Sequence, residues 1–148
     1  MLAGVLALLV AALFTGAALY VSLVVQPARL RLDDVSLLAE WRASSMRASF
    51  VQAALAIVGF ALGIVAGQQR GNWLWFFGGI ILFAHWPYTA LWVTPQGRQI
   101  AGYLPEKTEI PLRVLVAKWG RLHAARTALG ALACLIFVSA IAKGLARP

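Results

Sequence analysis

The 148-residue chain has little that titrates and almost nothing that crosslinks: five acidic residues, two histidines and one cysteine. The single Cys134 excludes an internal disulfide, and within an apolar helix it reads as inert packing. Two histidines and no carboxylate inside any hydrophobic block fall short of the three or four ligands of a dedicated zinc site, so no metal is expected. There is no phosphate-binding glycine loop, nucleophile-elbow serine or zincin helix, and no internal repeat or low-complexity tract is visible. Charged residues make up only 12% of the chain against 61% hydrophobic, with a mean hydropathy of +0.80. Soluble domains carry roughly 25% charge, so this is a membrane protein.

The apolar residues fall into four blocks, Leu2 to Val25, Phe50 to Gly67, Trp73 to Thr94 and Leu122 to Ala142. Each approaches or exceeds the ~18 to 20 residues that cross a bilayer core as a helix. The first lacks a basic start, because the first Lys or Arg is Arg29, and it is too long for a signal-peptide core, so it reads as a retained span. The expected fold is all-α: an integral membrane four-helix bundle, up-down-up-down, forming a single transmembrane domain over 1–148 with spans at about 2–25, 50–67, 73–94 and 119–142.

Short interfacial helices are expected in the first and third connections. In the first, Pro27 ends the span, Asp33 or Asp34 caps a new helix, and Leu37, Leu38 and Trp41 form its apolar stripe. In the third, Pro95 and Gly97 break the helix, and Thr108, Glu109 and Pro111 signal a restart before Leu112, Leu115, Val116 and Trp119. Gln68 to Asn72 is a tight polar hairpin.

Those two long connections hold Arg29, Arg31, Arg42, Arg47, Arg98, Lys107, Arg113, Lys118 and Arg121, whereas the opposite side has only Arg70, Lys143 and Arg147. The positive-inside rule places the long connections in the cytoplasm and both termini outside. The net charge of +8 is then explained by topology and anionic lipid and implies no nucleic acid. The partners expected are the lipid bilayer and a lipophilic aromatic small molecule, and the sequence leaves oligomerisation open. The Ala-, Gly-, Leu- and Arg-rich composition points to a bacterial plasma membrane.

The unusual residues cluster at one end of this bundle. They are Tyr20, Ser22, Gln26 and Pro27; Trp41, Arg42, Ser45, Ser49 and Gln52; His85, Trp86, Tyr88 and Trp92; and Trp119, His123 and Arg126. Trp86, Trp92 and Trp119 also fit an interfacial aromatic belt, and Tyr20, Tyr88 and Gln52 also fit interhelical hydrogen bonds. Gly59, Gly63 and Gly67, spaced by four, read as close-packing contacts.

Two residues are costly where they stand. His85 lies within the third span, and Pro87 frees the Phe83 carbonyl beside it, which favours a polar cavity over a buried structural histidine. Arg126 shares a helical face with Trp119, His123, Thr127 and Gly130. A central arginine costs about 2.5 to 3.5 kcal/mol on insertion scales, less if it snorkels. No Asp or Glu lies in a span to neutralise it, which favours a substrate or lipid anion.

The segments "GAALYVSLVVQPARL", "AHWPYTALWVTPQGRQI" and "WGRLHAARTALG", in this order on a four-span chain, resemble the anthrone oxygenase-like family of small membrane proteins. The resemblance covers nearly the whole chain, and the stretch from Trp119 through His123 to Arg126 and Thr127 is its most specific part. It implies oxidation of an anthrone to an anthraquinone without metal or flavin. Relatives are expected to carry asparagine where this chain has His85, which makes His123 the stronger catalytic candidate.

On that basis His123 is the base, and Arg126 with Tyr88 or Tyr20 stabilises an enolate that reacts directly with dioxygen, with no cofactor. Gln26, Trp41, Gln52, His85, Trp86, Trp92 and Trp119 complete the candidate substrate site. The competing class is a non-enzymatic module that binds a quinone, haem or lipid, or a scaffold for a partner protein. Bis-histidine haem ligation would require His85 and His123 to face each other at matching depth.

Overall fold

The structure is a computed structural model that describes residues 1–145; Arg147, counted above on the sparser side, lies outside the described residues. Four helices carry the chain: α1 (Leu2–Arg29), α2 (Asp34–Arg70), α3 (Trp73–Ala101) and α4 (Leu112–Leu145), each long and apolar enough to cross a membrane. At 1.5 Å per residue, even the 28-residue α1 spans about 42 Å, more than the ~30 Å hydrocarbon core.

Consecutive helices pack side by side, and α4 closes on α1, so α1/α3 and α2/α4 are the diagonals of a square bundle. The buried stripes explain this packing. Gly4, Ala7, Ala11, Phe14 and Ala18 recur at alternating intervals of three and four along α1. Along α4 the adjacent pair Leu115 and Val116 follows Leu112, and from Val116 on Trp119, His123, Arg126, Gly130, Ala133, Phe137 and Ala140 keep the same intervals. The outward faces carry exposed Leu9, Leu13, Ile57, Val58, Phe77, Ile80, Leu132 and Leu135, a surface suited to lipid.

Glycine sets the approach of α2 to α3 and α4. A Cβ on Gly63 would stand 2.9 Å from the Trp75 carbonyl oxygen, 3.2 Å from the Gly79 Cα and 3.3 Å from Phe137 Cζ. At Gly59 it would meet Leu82 and at Gly67 the Phe76 ring, so this stripe is a close-packing surface as its spacing indicates.

The connections correct the expected breaks. Pro27 and Pro95 do not end their helices: a π-helical turn precedes each, Val21–Val25 and Thr89–Val93, and the helices run on to Arg29 and Ala101. A π turn re-pairs the backbone around the missing proline N–H, so the span survives. The helix expected in the first connection is likewise the first turns of α2, continuous with its span, and the restart after Pro111 is the beginning of span four itself, one helix from Leu112 to Leu145. Asp33 is the N-cap of α2, accepting from the amides of Val35 and Ser36 at 3.1 and 3.0 Å. Hydrogen bonds from Ser36 hold its carboxyl below the usual range. Arg113 clamps the connection by donating to the Leu30 and Leu32 carbonyls and pairing with Asp34 at 3.2 Å.

The halves of the bundle also match, where the sequence alone showed no repeat. "YVSLVVQP" (Tyr20 to Pro27) and "YTALWVTP" (Tyr88 to Pro95) share Tyr, Leu, Val and Pro and both contain the π turn. "LLAEW" (Leu37 to Trp41) and "LVAKW" (Leu115 to Trp119) share Leu, Ala and Trp, and the two tryptophans meet edge to face at 5.8 Å.

With Cys134 replaced, single cysteines at the exposed Gln69 and Gln99 should label from opposite sides of sealed vesicles. Labelling of both from one side would contradict the four-span arrangement.

Candidate functional site

A polar layer separates two apolar clusters. One holds Phe14, Ala56, Leu82, Ala133 and Phe137; the other holds Leu37, Trp41, Val93, Ile100, Leu115 and Trp119. Between them lie Gln52, His85, His123 and Arg126, all buried, with Arg126 0% exposed.

Arg126 reaches from α4 to α3. Its Nε donates to His85 Nδ1 at 3.2 Å, and one terminal nitrogen lies 3.4 Å from His85 Nε2. A neutral imidazole has one acceptor, so with Nδ1 accepting, Nε2 carries the proton and the second approach is a contact against the ring. Thr89, in the second π turn, is 3.4 Å from the same Nδ1, and Phe14 packs edge-on to the ring at 5.0 Å. The remaining Nη1 of Arg126 has no partner, nor do the Thr127 hydroxyl and both amide atoms of Gln52. The ion pairs among the described residues join Arg29 to Glu40 and Arg113 to Asp34, leaving Arg126 without a carboxylate.

His123 is anchored from α1. Its Nδ1 is 3.4 Å from the Ser22 hydroxyl in the first π turn, and its ring lies 5.0 Å from Trp119. Each π turn thus sets a hydroxyl beside one of the two histidines. Such turns displace a side chain from the helical register and recur at functional sites.

The groove between α2 and α3 has two lobes. The outer, about 520 Å³, is lined by Trp41, Ser45, Thr94, Arg98 and Trp119 among others. The inner, about 350 Å³, runs between Ser49, Ala53, Trp86 and Thr89 to His85, and both lobes share Met46, Ser49, Thr89 and Thr94. Each volume lies in the range of small-molecule sites. Exposed Met46 and Phe50 flank the mouth, so it opens sideways.

The other expected residues divide. Gln26 is buried and donates to the Val116 carbonyl at 2.8 Å, filling the space left by Gly120. Trp41 lines the groove with its Nε1 unpartnered. Tyr88 donates to the Leu122 carbonyl at 2.8 Å, so its hydroxyl is engaged by backbone. Trp86 lines the inner lobe and donates to the Ala53 carbonyl at 3.3 Å; Trp92 stacks on Tyr88 but faces outward. Tyr20 is 59% exposed and stands apart from the cluster.

Sequence reasoning missed Arg29 as a site-bracing residue. It is 3% exposed, paired with Glu40 at 2.8 Å, bonded to Ser44 at 2.8 Å and placed over the Trp119 ring at 5.6 Å. The signal was Glu40, an acid one residue before the buried Trp41. Among the described residues no three of His, Cys, Asp or Glu are grouped so as to hold a metal ion.

No curated protein and no solved structure matches the chain. The family model described as anthrone oxygenase matches residues 37–136, a stretch that contains Trp41, Gln52, His85, His123 and Arg126, and the chain belongs to that family.

Proposed function

We propose that the protein oxidises a lipophilic phenolic C–H acid of the anthrone type, drawn from a bacterial plasma membrane through the groove between α2 and α3. The observation that carries this reading is Arg126, wholly buried without a carboxylate and with Nη1 unpartnered. A permanent cation in an apolar layer stabilises an enolate strongly. His85 orients the guanidinium, Trp41 and Trp119 give the rings an aromatic wall, and His123 takes the proton.

The chemistry balances with dioxygen as co-reactant. His123 removes one proton from the methylene carbon; the enolate passes electrons to dioxygen, a C–O bond forms, and the proton returns to give a hydroperoxide. Loss of water leaves the ketone, so one methylene and one dioxygen yield one carbonyl and one water. The protein supplies base, electrostatics and water exclusion.

Oxygen uptake with anthrone as probe, scored for anthraquinone, tests the reading. Arg126→Lys should cut turnover by about 10² to 10³, because a compact ammonium cannot reproduce the planar fork that bonds His85 through Nε and presents Nη1 to the substrate. Unchanged turnover would remove Arg126 from the mechanism. A Soret band, or stoichiometric iron or copper in the active protein, would refute direct reaction with dioxygen.

A further inference from the structure

A buried arginine in a bilayer must be neutralised when no substrate is present. Arg126 is charged at any physiological pH, and among the described residues no carboxylate pairs with it. An isolated charge in an apolar interior costs several kcal/mol, and removal from water is offset only by a partner. The structure holds further unmet polarity at the same depth. Gln52 is 1% exposed, and neither its amide nitrogen nor its oxygen has a protein partner.

Gln52 and Arg126 belong to one layer. Trp86, next to His85, donates to the carbonyl of Ala53, next to Gln52, while His85 itself receives Arg126. Gln52 and Arg126, both buried inside the bundle, come from the diagonal helices α2 and α4. Two donors without acceptors remain in the layer: Arg126 Nη1 and Gln52 Nε2. The inner lobe of the groove, ending at His85, gives a way in.

We infer that this layer is a binding site for a small monovalent inorganic anion of the halide class, held by Arg126 with Gln52 as a neutral donor. The inference rests on the reading of Arg126 as an anion holder. In the resting protein the anion balances the guanidinium, and it leaves when an anionic substrate takes its place.

Chloride is the probe. Purified protein is exchanged into gluconate, too large for the layer, and retained chloride is measured by ion chromatography after denaturation. Chloride is then titrated back while thermal unfolding is followed. The wild type should retain chloride stoichiometrically, and its melting temperature should rise with chloride by mass action. Gln52→Leu should weaken the apparent chloride affinity about tenfold or more, as expected for losing a hydrogen bond to a charged group. Arg126→Gln should abolish both retention and the thermal response; if it does not fold, Gln52→Leu alone decides.

A wild type that holds no chloride and melts at one temperature in both salts would overturn the inference, as would chloride binding unaffected by these substitutions. The assay contains neither substrate nor reaction. Its failure leaves the oxygenation reading standing, and failed oxygen uptake leaves the anion site standing.

Discussion

Anthrone turnover by His123→Gln is expected to fall by about 10² to 10⁴, the range for losing a general base, with the melting profile unchanged. The side chain is 2% exposed and sits between Ser22 and Trp119. Glutamine is close in size and can keep a hydrogen bond to the Ser22 hydroxyl, but it cannot accept the substrate proton at useful pH. If the histidine only fills space, turnover should survive with the fold. Combining it with Arg126→Lys sharpens the reading, because a base and an anion clamp acting in one step lose activity non-additively. Two independent, mild losses would dismantle the site.

Gly63→Leu should lower the melting temperature in detergent more than any change in the polar layer. The new Cβ alone would fall 2.9 Å from a carbonyl oxygen of α3 and 3.2 Å from the Gly79 Cα, both backbone atoms that cannot rotate aside. Overpacking of this kind costs about 1 to 3 kcal/mol even where side chains can yield. Here two helices must separate, which also loosens the Phe137 contact from α4. An unchanged melting temperature would mean that α2 does not meet α3 at this level.

The sequence reveals span number, helical class and the polar end because these depend on residue type along one chain. Hydrophobic length marks the four helices, and the scarcity of charge makes Arg126 conspicuous. Facing is harder to read. Tyr20 lies two residues, about 200°, beyond the buried Ala18 and turns outward, although it is at the same depth as the site. Trp86 and Trp92 each neighbour a buried residue, His85 and Val93, and are exposed for the same reason. Pro27 and Pro95 read as stops because proline removes a donor, but two π turns absorb the loss. The Arg126 to His85 contact joins residues 41 apart on different helices, which no local pattern specifies.

The matched halves have a consequence for symmetry. Counting from the paired tryptophans, His123 corresponds to Ser45 and Arg126 to Ala48. A two-span hairpin dimerising with itself would be bound to identical residues about its axis. An arginine at this position would then occur twice, setting two guanidinium ions near one another in a medium that screens them poorly. A single chain is free of that constraint: the second half carries the cation and both imidazoles, and the first has Ala48 and Ser45 at the matching positions, with Ser45 lining the open groove.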